Sequence, residues 1–359
     1  VAASVQLGNC PQGDSILRTL VTIQRVLSVD PIEGADAIEV AQILGWRVVV
    51  KKGEVHEGDL VCYGELDSIF PAENPDFAFL EGKRLRTKKL RGQISQGIVF
   101  PIDVLKGWRY PGDTREEPSY TWHEGQDVTD MLGVKLWQPV IPACLAGMMK
   151  GPFPSFIPKT DEMRIQAYPR VLQRHAGEHM YVTEKLDGSS VTYYIKDGEF
   201  GVCSRNIELK DSVGNAFWIV ARKLNVETLL RGLGRDVALQ GELIGPGVQG
   251  NKYALSEFTV YFYGIYEIGL AKYLDYLDAR DLIEDGLHLK FVPFLFSRDF
   301  GAQTIDEWVA IAEGKSVLNN KIEREGIVIR AMNEKADIDL GRLSVKAINP
   351  RFLLKYEDS

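Results

Sequence analysis

Along the first third of the chain, apolar residues come in short runs separated by turn residues. Leu20-Val21-Thr22-Ile23-Gln24-Arg25-Val26-Leu27 alternates imperfectly until Asp30-Pro31 and Glu33-Gly34 interrupt it. Residues 38–41 and 46–50 repeat the pattern, with Lys52-Gly53 as a turn. Glu57-Gly58-Asp59 leads into residues 60–63, and residues 96–101 close the series. Many short strands at this spacing predict a small β-barrel, and the OB type is the expected form.

From Pro101 to about Ser155 the periodicity disappears. Pro111-Gly112-Asp113, Arg115-Glu116-Glu117-Pro118 and Gln138-Pro139 are loop chemistry, with a short helix expected at 128–132. Gly151-Pro152-Phe153-Pro154 and Ile157-Pro158 then form an extended, proline-stiffened connector. The domain boundary is expected there, giving residues 1–150 and 151–359 as the two units.

Beyond the connector, strand and helix patterns mix. Residues 180–183 and 191–195 read as strands, the second turned back by Lys196-Asp197-Gly198. Further strands are expected at 237–244, 258–265, 291–296, 326–330 and 343–348. Asp211-Ser212 is placed to cap a helix whose buried face carries Phe217, Ile219, Val220, Leu224, Leu229 and Leu230. A second helix is expected over 278–285, ended by Gly286. Thr304-Ile305-Asp306-Glu307 has the capping-box spacing that opens a third. Without βαβ regularity this is an α+β chain: an N-terminal OB-like barrel, then a domain of largely antiparallel sheets.

Composition leaves this picture standing and narrows the setting. At 45% hydrophobic and 26% charged the chain reads as soluble and globular, with no apolar run of membrane-spanning length. Val1-Ala2-Ala3-Ser4-Val5-Gln6 lacks the regions of a signal peptide. Cys10, Cys62, Cys144 and Cys203 are scattered, which predicts reduced thiols in an intracellular, cytoplasmic protein. His175-Ala176-Gly177-Glu178-His179 matches a zinc-protease string, but Gly177 disfavours the helix that string needs, so a loop is expected. Net charge is −8, yet Lys83, Arg84, Arg86, Lys88, Lys89 and Arg91 put six cations in nine residues. Such a cluster suits a phosphate backbone whatever the acidic remainder does.

The chemistry centres on Thr183-Glu184-Lys185-Leu186-Asp187-Gly188-Ser189-Ser190. Lys-x-Asp-Gly sets an ammonium and a carboxylate on either side of a tight turn at a strand end. Alone it carries no function, since average composition supplies such a string in roughly one chain of this length in ten. Five more stretches follow in order: Cys203-Ser204-Arg205-Asn206, Gln240-Gly241-Glu242-Leu243-Ile244-Gly245-Pro246-Gly247, Tyr261-Phe262-Tyr263-Gly264-Ile265-Tyr266, Glu325-Gly326-Ile327-Val328-Ile329-Arg330 and Ser344-Val345-Lys346-Ala347-Ile348.

This ordered set resembles the covalent nucleotidyltransferases, the ligases and capping enzymes. With the OB-like region in front and Phe156-Ile157-Pro158-Lys159-Thr160-Asp161-Glu162 leading into the lysine strand, nearly the whole chain looks like the Naegleria/Deinococcus-type RNA ligases (RNA ligase family five). The resemblance implies an ATP-dependent enzyme that seals 3′-OH/5′-phosphate nicks through a lysyl-AMP intermediate, with RNA on the 3′-OH side of a nicked duplex, as repair. It implies no membrane partner and a monomer.

Matching positions to the family gives Lys185 as nucleophile, with Asp187 and Lys346 as its catalytic companions. Glu184, Arg205, Glu242, Tyr263, Glu325, Lys346 and Lys159 are implied to bind the nucleotide. Tyr263 is implied to stack on adenine, with Phe262 as the alternative, because the family's Phe-Asp pair is Tyr263-Gly264 here. A lysine attacks only when neutral, and neighbouring acids favour its ammonium. A Mg2+ or Mn2+ ion held by Asp187, Glu242 and Glu325 through water is therefore implied. Where relatives carry a second lysine near the end, this chain has Ile348, and the expectation is that one phosphate contact is either lost or supplied by Arg351 or Lys355.

Two other readings remain in view: a non-catalytic RNA-binding protein with a retired transferase domain, and an ATP-dependent DNA ligase. The five charged residues Lys185, Asp187, Glu242, Glu325 and Lys346 weigh against the first. Classical DNA ligases carry a barrel after their last lysine strand, whereas only thirteen residues follow Lys346, which weighs against the second.

Overall fold

The structure, a computed structural model, describes residues 19–106, 108–109, 113–114, 120–137 and 147–356. The loop readings at Pro111-Gly112, Arg115–Pro118 and Gln138-Pro139, together with Cys10, Cys144 and the first six residues, lie outside the described residues.

The first region is built on β1 (Val21–Pro31), β2 (Ile38–Ile43), β3 (Trp46–Lys51), β4 (Leu60–Gly64) and β8 (Ile98–Pro101). Between β4 and β8 lie β5 (Ser68–Ile69), β6 (Lys88–Leu90) and β7 (Gln93–Ser95); β9 (Lys135–Leu136) later pairs with β5. The main sheet is antiparallel in the order β3-β2-β1-β4-β8. β1 runs through Asp30-Pro31, where the sequence pattern predicts a break, because its halves serve different neighbours. Residues 21–25 pair with β4, and the rest with β2 beyond a bulge between Val26 and Ser28. A bulge bends and twists its strand. The sheet accordingly curls into a half-barrel, with Gln96 N donating to Arg47 O (2.8 Å) and Val49 N to Ser95 Oγ (3.0 Å) across its open side.

Alternation drives the curl. Val61 and Tyr63 join Trp46, Val48 and Val50 in one core, while Cys62 faces Phe70, Phe77 and Phe100 in another. The expected OB-like architecture is present. The helix expected at 128–132 is reduced to one turn, Leu132 N to Val128 O (3.1 Å), and Gly133 leaves it at φ +66°. Thr129 Oγ1 is instead used to accept from the N–H groups of Leu20 and Val21, at 3.0 Å each.

The second region is two sheets. Its strands are β10 (Met149–Pro152), β11 (Met163–Arg164), β12 (His179–Lys185), β13 (Ser189–Lys196), β14 (Glu199–Cys203), β15 (Ile207–Leu209), β16 (Val237–Ile244), β17 (Thr259–Glu267), β18 (Lys272–Tyr273), β19 (Phe294–Asp299), β20 (Gly326–Ala331), the small hairpin β21 (Ala336–Asp337) and β22 (Gly341–Arg342), and β23 (Ser344–Ile348). Seven form one sheet, β10-β15-β14-β13-β16-β17-β18. Five form the other, β11-β23-β20-β12-β19, in which only β11 and β23 run parallel. β10 joins the seven-stranded sheet from Met149, just before the proline-rich connector.

The helices cover the outer faces. The helix expected from Asp211-Ser212 breaks into Ala216–Lys223 and Val226–Gly232, because Asn225 adopts φ +52° between them, and Asn215 supplies the cap. Tyr276–Asp281 begins before the expected 278 and continues as a wider turn to Gly286. The Thr304–Glu307 capping box forms and opens Ile305–Ala312. Trp308 on that helix is fully buried beside Phe300 and Ile329. Side chains of this size contribute about 1.5–3 kcal/mol each when buried.

His175 and His179 turn to different acids, Asp337 and Asp299, at 2.8 Å each, on a loop that passes Gly177 at φ +83°. Cys62 and Cys203 are free and buried. No described helix is long and apolar enough to cross a membrane. Gly45 N donates to Gln166 O (2.9 Å) and Arg47 pairs with Asp306 (2.7 Å), joining the half-barrel to the two-sheet region.

Candidate active site

The two sheets of the second region meet where β12 passes into β13. β12 belongs to the five-stranded sheet and β13 to the seven-stranded one, so Lys185–Ser189 is the crossover between them. The crossover lies tight against β16: a Cβ on Gly188 would sit 2.5 Å from Leu243 O. A cavity of about 510 Å³ opens there.

Register decides what lines it. On the five-stranded wall Lys185 pairs with Gly326, Thr183 with Val328 and Tyr181 with Arg330, while Val328 pairs with Lys346 and Arg330 with Ser344. Gly326 has no room for a side chain, since a Cβ would collide with Ala347 O of β23. On the opposite wall Ser190 lies across from Glu242. Of the residues implicated by the sequence, Lys159, Glu184, Lys185, Asp187, Arg205, Glu242, Tyr263, Glu325 and Lys346 all line this one cavity.

The adenine-stacking alternatives separate. Gln240 pairs with Gly264 and Gly241 with Phe262, so Tyr263 is the extra residue of a β-bulge. Bulges re-aim side chains. Tyr263 faces the cavity, with its hydroxyl 2.8 Å from Thr160 Oγ1, whereas Phe262 is 0% exposed in the core.

Lys185 Nζ lies 2.7 Å from Glu325 Oε1. Burial would lower the lysine's pKa, but Glu325, then Glu242 and Asp187, outweigh it and hold the ammonium above its ordinary value. Glu242 is pushed up to about 8, by burial foremost and by the neighbouring carboxylates, against the pull of Lys185. Lys346 is pushed down to about 8 by burial and by Lys185. The buried Glu325 Oε2 has no hydrogen-bond partner.

Asp187 is gripped by consecutive residues of one loop. Its carboxylate accepts from Lys252 Nζ (2.6 Å), and its N–H donates to the Tyr253 hydroxyl (2.8 Å). Arg205 forks onto both oxygens of Asp161 at 2.7 Å. That pair is exposed and of a kind worth about 0–1 kcal/mol, so a phosphate can displace it. Lys159 Nζ makes only a 3.4 Å contact with Asn206.

Two sequence assignments change in form. Glu184 is 1% exposed, and its carboxylate accepts from Val317 N (2.7 Å), because on a strand it must face away from Lys185; only its backbone is left for a ligand. Among the described residues no three acidic, His or Cys side chains are grouped to hold a metal ion directly, which leaves the expectation of an ion held through water by Asp187, Glu242 and Glu325 as it stands. Arg351 turns to Glu313 (3.0 Å) and Lys355 lies over Tyr356, so neither enters the cavity to replace the missing lysine, and Ile348 is buried. Sequence reasoning missed Lys252, Glu162 and Arg330. Arg330 had a signal, since it lies two residues along β20 from Val328, on the face that carries Lys185.

The basic run sits elsewhere, on the half-barrel. β6 and β7 form a hairpin turned by Arg91 (φ +48°) and Gly92 (φ +85°). Lys88, Lys89 and Arg91 are exposed on it, Lys83 pairs with Glu81, and Arg84 with Asp67 (2.6 Å). Lys83, Arg84, Arg86, Lys88 and Lys89 line a groove completed by Trp137 and by Leu354 of the last helix, Pro350–Tyr356.

Comparison with known proteins follows the same division. Residues 20–102 match an OB-fold domain family and residues 178–348 match the RNA ligase family. The chain is 37% identical to a mutant of the Naegleria gruberi RNA ligase solved with AMP and Mn, with a TM-score of 0.84 over 95% of this chain and 100% of that one. It is likewise 37% identical to a mutant of that ligase with ATP and Mn (TM-score 0.82; 95% and 100% covered). The same ligase with PPi matches at 37% identity (TM-score 0.82; 96% and 100% covered). No curated protein sequence matches the chain.

Proposed function

The chain belongs to the RNA ligase family, and on that premise we propose that it is an ATP-dependent RNA ligase acting through an AMP adduct on Lys185. The observation that carries this reading is the convergence of Lys185, Glu242, Tyr263 and Lys346, from four strands of two sheets, and of Glu325, just before β20, on one cavity.

In the first step the neutral Lys185 Nζ attacks the α-phosphorus of ATP. An N–P bond forms, the bond to the bridging oxygen breaks, pyrophosphate leaves, and the lysine proton passes to solvent. In the second step a 5′-phosphate oxygen attacks the same phosphorus, and Lys185 leaves and regains a proton. In the third, a 3′-hydroxyl attacks the activated 5′-phosphate, and AMP departs.

Tyr263 stacks on the base and Glu242 accepts from the ribose hydroxyls. Lys346, which lines the cavity from β23, meets the phosphates from the five-stranded wall. Arg205 exchanges Asp161 for a phosphate at the opposite rim, with Lys159 nearby. Glu184 contributes through its backbone.

The acids fit a divalent ion. Glu325 Oε2 is buried and unpartnered, and Glu242 is crowded by other carboxylates. Mg2+ or Mn2+, held through water by Glu242, Glu325 and Asp187, would supply the positive charge that lets Lys185 lose its proton and that neutralises the phosphates. Glu325, at 2.7 Å from Nζ, holds the amine in line at the crossover.

The N-terminal unit, residues 1–150, which carries the half-barrel, serves as the nucleic-acid-binding unit and residues 151–359 as the transferase. The acceptor is a nicked duplex with RNA on the 3′-OH side, held along its backbone by Lys83, Arg84, Arg86, Lys88, Lys89 and Arg91. The enzyme acts as a monomer, in the cytoplasm, where the free thiols of Cys62 and Cys203 stay reduced.

Incubation with α-labelled ATP and Mg2+ is expected to leave label on the denatured protein, and Lys185→Ala to abolish it. Label that persists in Lys185→Ala overturns the reading. A purified Lys185-intact protein that labels but seals only all-DNA nicks would move the assignment to DNA ligation.

A further inference from the structure

Against the Tyr263 ring, at the cavity wall, lies a buried cation that none of the roles above uses. Arg330 is 3% exposed. Its Nη2 donates to Glu162 Oε1 (2.5 Å) and its Nε to Ser344 Oγ (3.1 Å). Nη1 is buried with no hydrogen-bond acceptor among the described residues, and the guanidinium carbon sits over the Tyr263 ring, 5.1 Å from its centre. An N–H deprived of an acceptor is costly, and the electron-rich ring face is the neighbour that offsets it.

The ring is also held at its other end. Its hydroxyl meets Thr160 Oγ1 at 2.8 Å, and Thr160 lies two residues before Glu162. One short segment, 160–162, therefore fixes both the tyrosine and the cation against its ring. The bulge that swings Tyr263 out of the ladder removes its backbone pairing, so side-chain contacts must fix the ring instead.

We infer that Arg330, oriented by Glu162, is a positioning residue for the nucleotide base. It holds the Tyr263 ring from one side so that the ring presents a pre-set stacking face to the purine in the cavity. Pre-setting the ring spares the ordering cost when the base arrives, so the gain appears in nucleotide affinity rather than in chemistry. The inference rests on the reading that Tyr263 meets the base, and the experiment separates the two.

Binding is measured by calorimetry in a Lys185→Met background, where no adduct forms, with ATP and with inorganic triphosphate as probes. Changing both members of the buried pair, Glu162→Gln with Arg330→Met, leaves no lone buried charge. This pair is expected to weaken ATP about tenfold and leave inorganic triphosphate within twofold. Tyr263→Leu is expected to weaken ATP similarly, and adding the pair to Tyr263→Leu to cost less than a further twofold. Arg330→Lys, which keeps the cation, is expected to recover part of the loss.

Unchanged ATP affinity in the pair variant, with a loss in Tyr263→Leu, overturns the role of Arg330 and leaves the stacking reading intact. Unchanged affinity in Tyr263→Leu overturns the stacking reading and the inference with it. Parallel loss of ATP and triphosphate in the pair variant overturns the inference in favour of a purely structural ion pair.

Discussion

Two clusters of cations in this chain do opposite things with the same side chains. At and beside the cavity, Lys185, Arg330 and Lys252 are largely buried and each is matched to an acid: Glu325, Glu162 and Asp187. On the hairpin, Lys88, Lys89 and Arg91 are exposed around a two-residue turn. Burial makes charge expensive and therefore placed; its strength lies in low dielectric, and salt reaches it poorly. Exposure makes charge cheap, mobile and screened, which suits a partner recognised by its phosphate spacing rather than by one geometry. Chemistry belongs to the first arrangement and grip to the second.

The largest effect expected within this contrast is at Lys346. Lys346→Ala should slow lysine adenylylation about a hundredfold, the scale of losing a preorganised group on developing phosphate charge. Its pH behaviour sharpens the point. The Lys346 ammonium, pushed down to about 8, is present below that pH and lost above it. Lys185, whose ammonium is held above its ordinary value, by itself makes the rate climb with pH. The kcat/KM profile, which reports the free enzyme, is thus expected to flatten above about pH 8. Lys346→Arg, charged throughout, should keep climbing in rapid-quench measurements between neutral and alkaline pH; a profile that flattens unchanged would remove Lys346 from the phosphate site.

An intermediate effect belongs to the hairpin. Lys88→Gln, Lys89→Gln and Arg91→Gln together should weaken duplex binding about tenfold or more. The slope of log affinity against log salt should become shallower by about 2 to 3, read in a salt titration. Adenylylation should stay within twofold. Equal loss of both activities would dissolve the contrast.

The smallest effect is expected at Glu184. Its carboxyl is pushed up from the ordinary value, by burial foremost, so the neutral form is the better tolerated one. The stability it contributes is greatest at low pH and declines as pH rises through its raised folded value. Glu184→Gln keeps an acceptor for Val317 N and should change adenylylation by less than twofold, with a melting temperature less sensitive to pH. A large loss of activity would put the Glu184 side chain back in the site.

Much of the site could be read along the chain because strand registry carries it. Once β12, β20 and β23 lie side by side and antiparallel, the approach of Lys185, Glu325 (just before β20) and Lys346 follows from pairing Lys185 with Gly326 and Val328 with Lys346. The half-barrel was legible for the same reason: alternation survives in short strands. What failed to show were features that depend on a single residue's backbone. The bulge at Tyr263 decides between two adjacent aromatics, and Asn225 at φ +52° splits one amphipathic pattern into two helices. Period two along β12 turns the Glu184 side chain away from Lys185 and leaves its backbone at the cavity. Partners across the fold were invisible: Glu162 and Arg330 meet from 168 residues apart.

The division between grip and chemistry is tested most directly by mapping the AMP adduct by tandem mass spectrometry in the hairpin variant Lys88→Gln/Lys89→Gln/Arg91→Gln after incubation with ATP and Mg2+. The account predicts AMP on Lys185 at wild-type occupancy in a protein that no longer holds a nicked duplex. An unmodified Lys185 in that variant, or AMP on another residue, would contradict it.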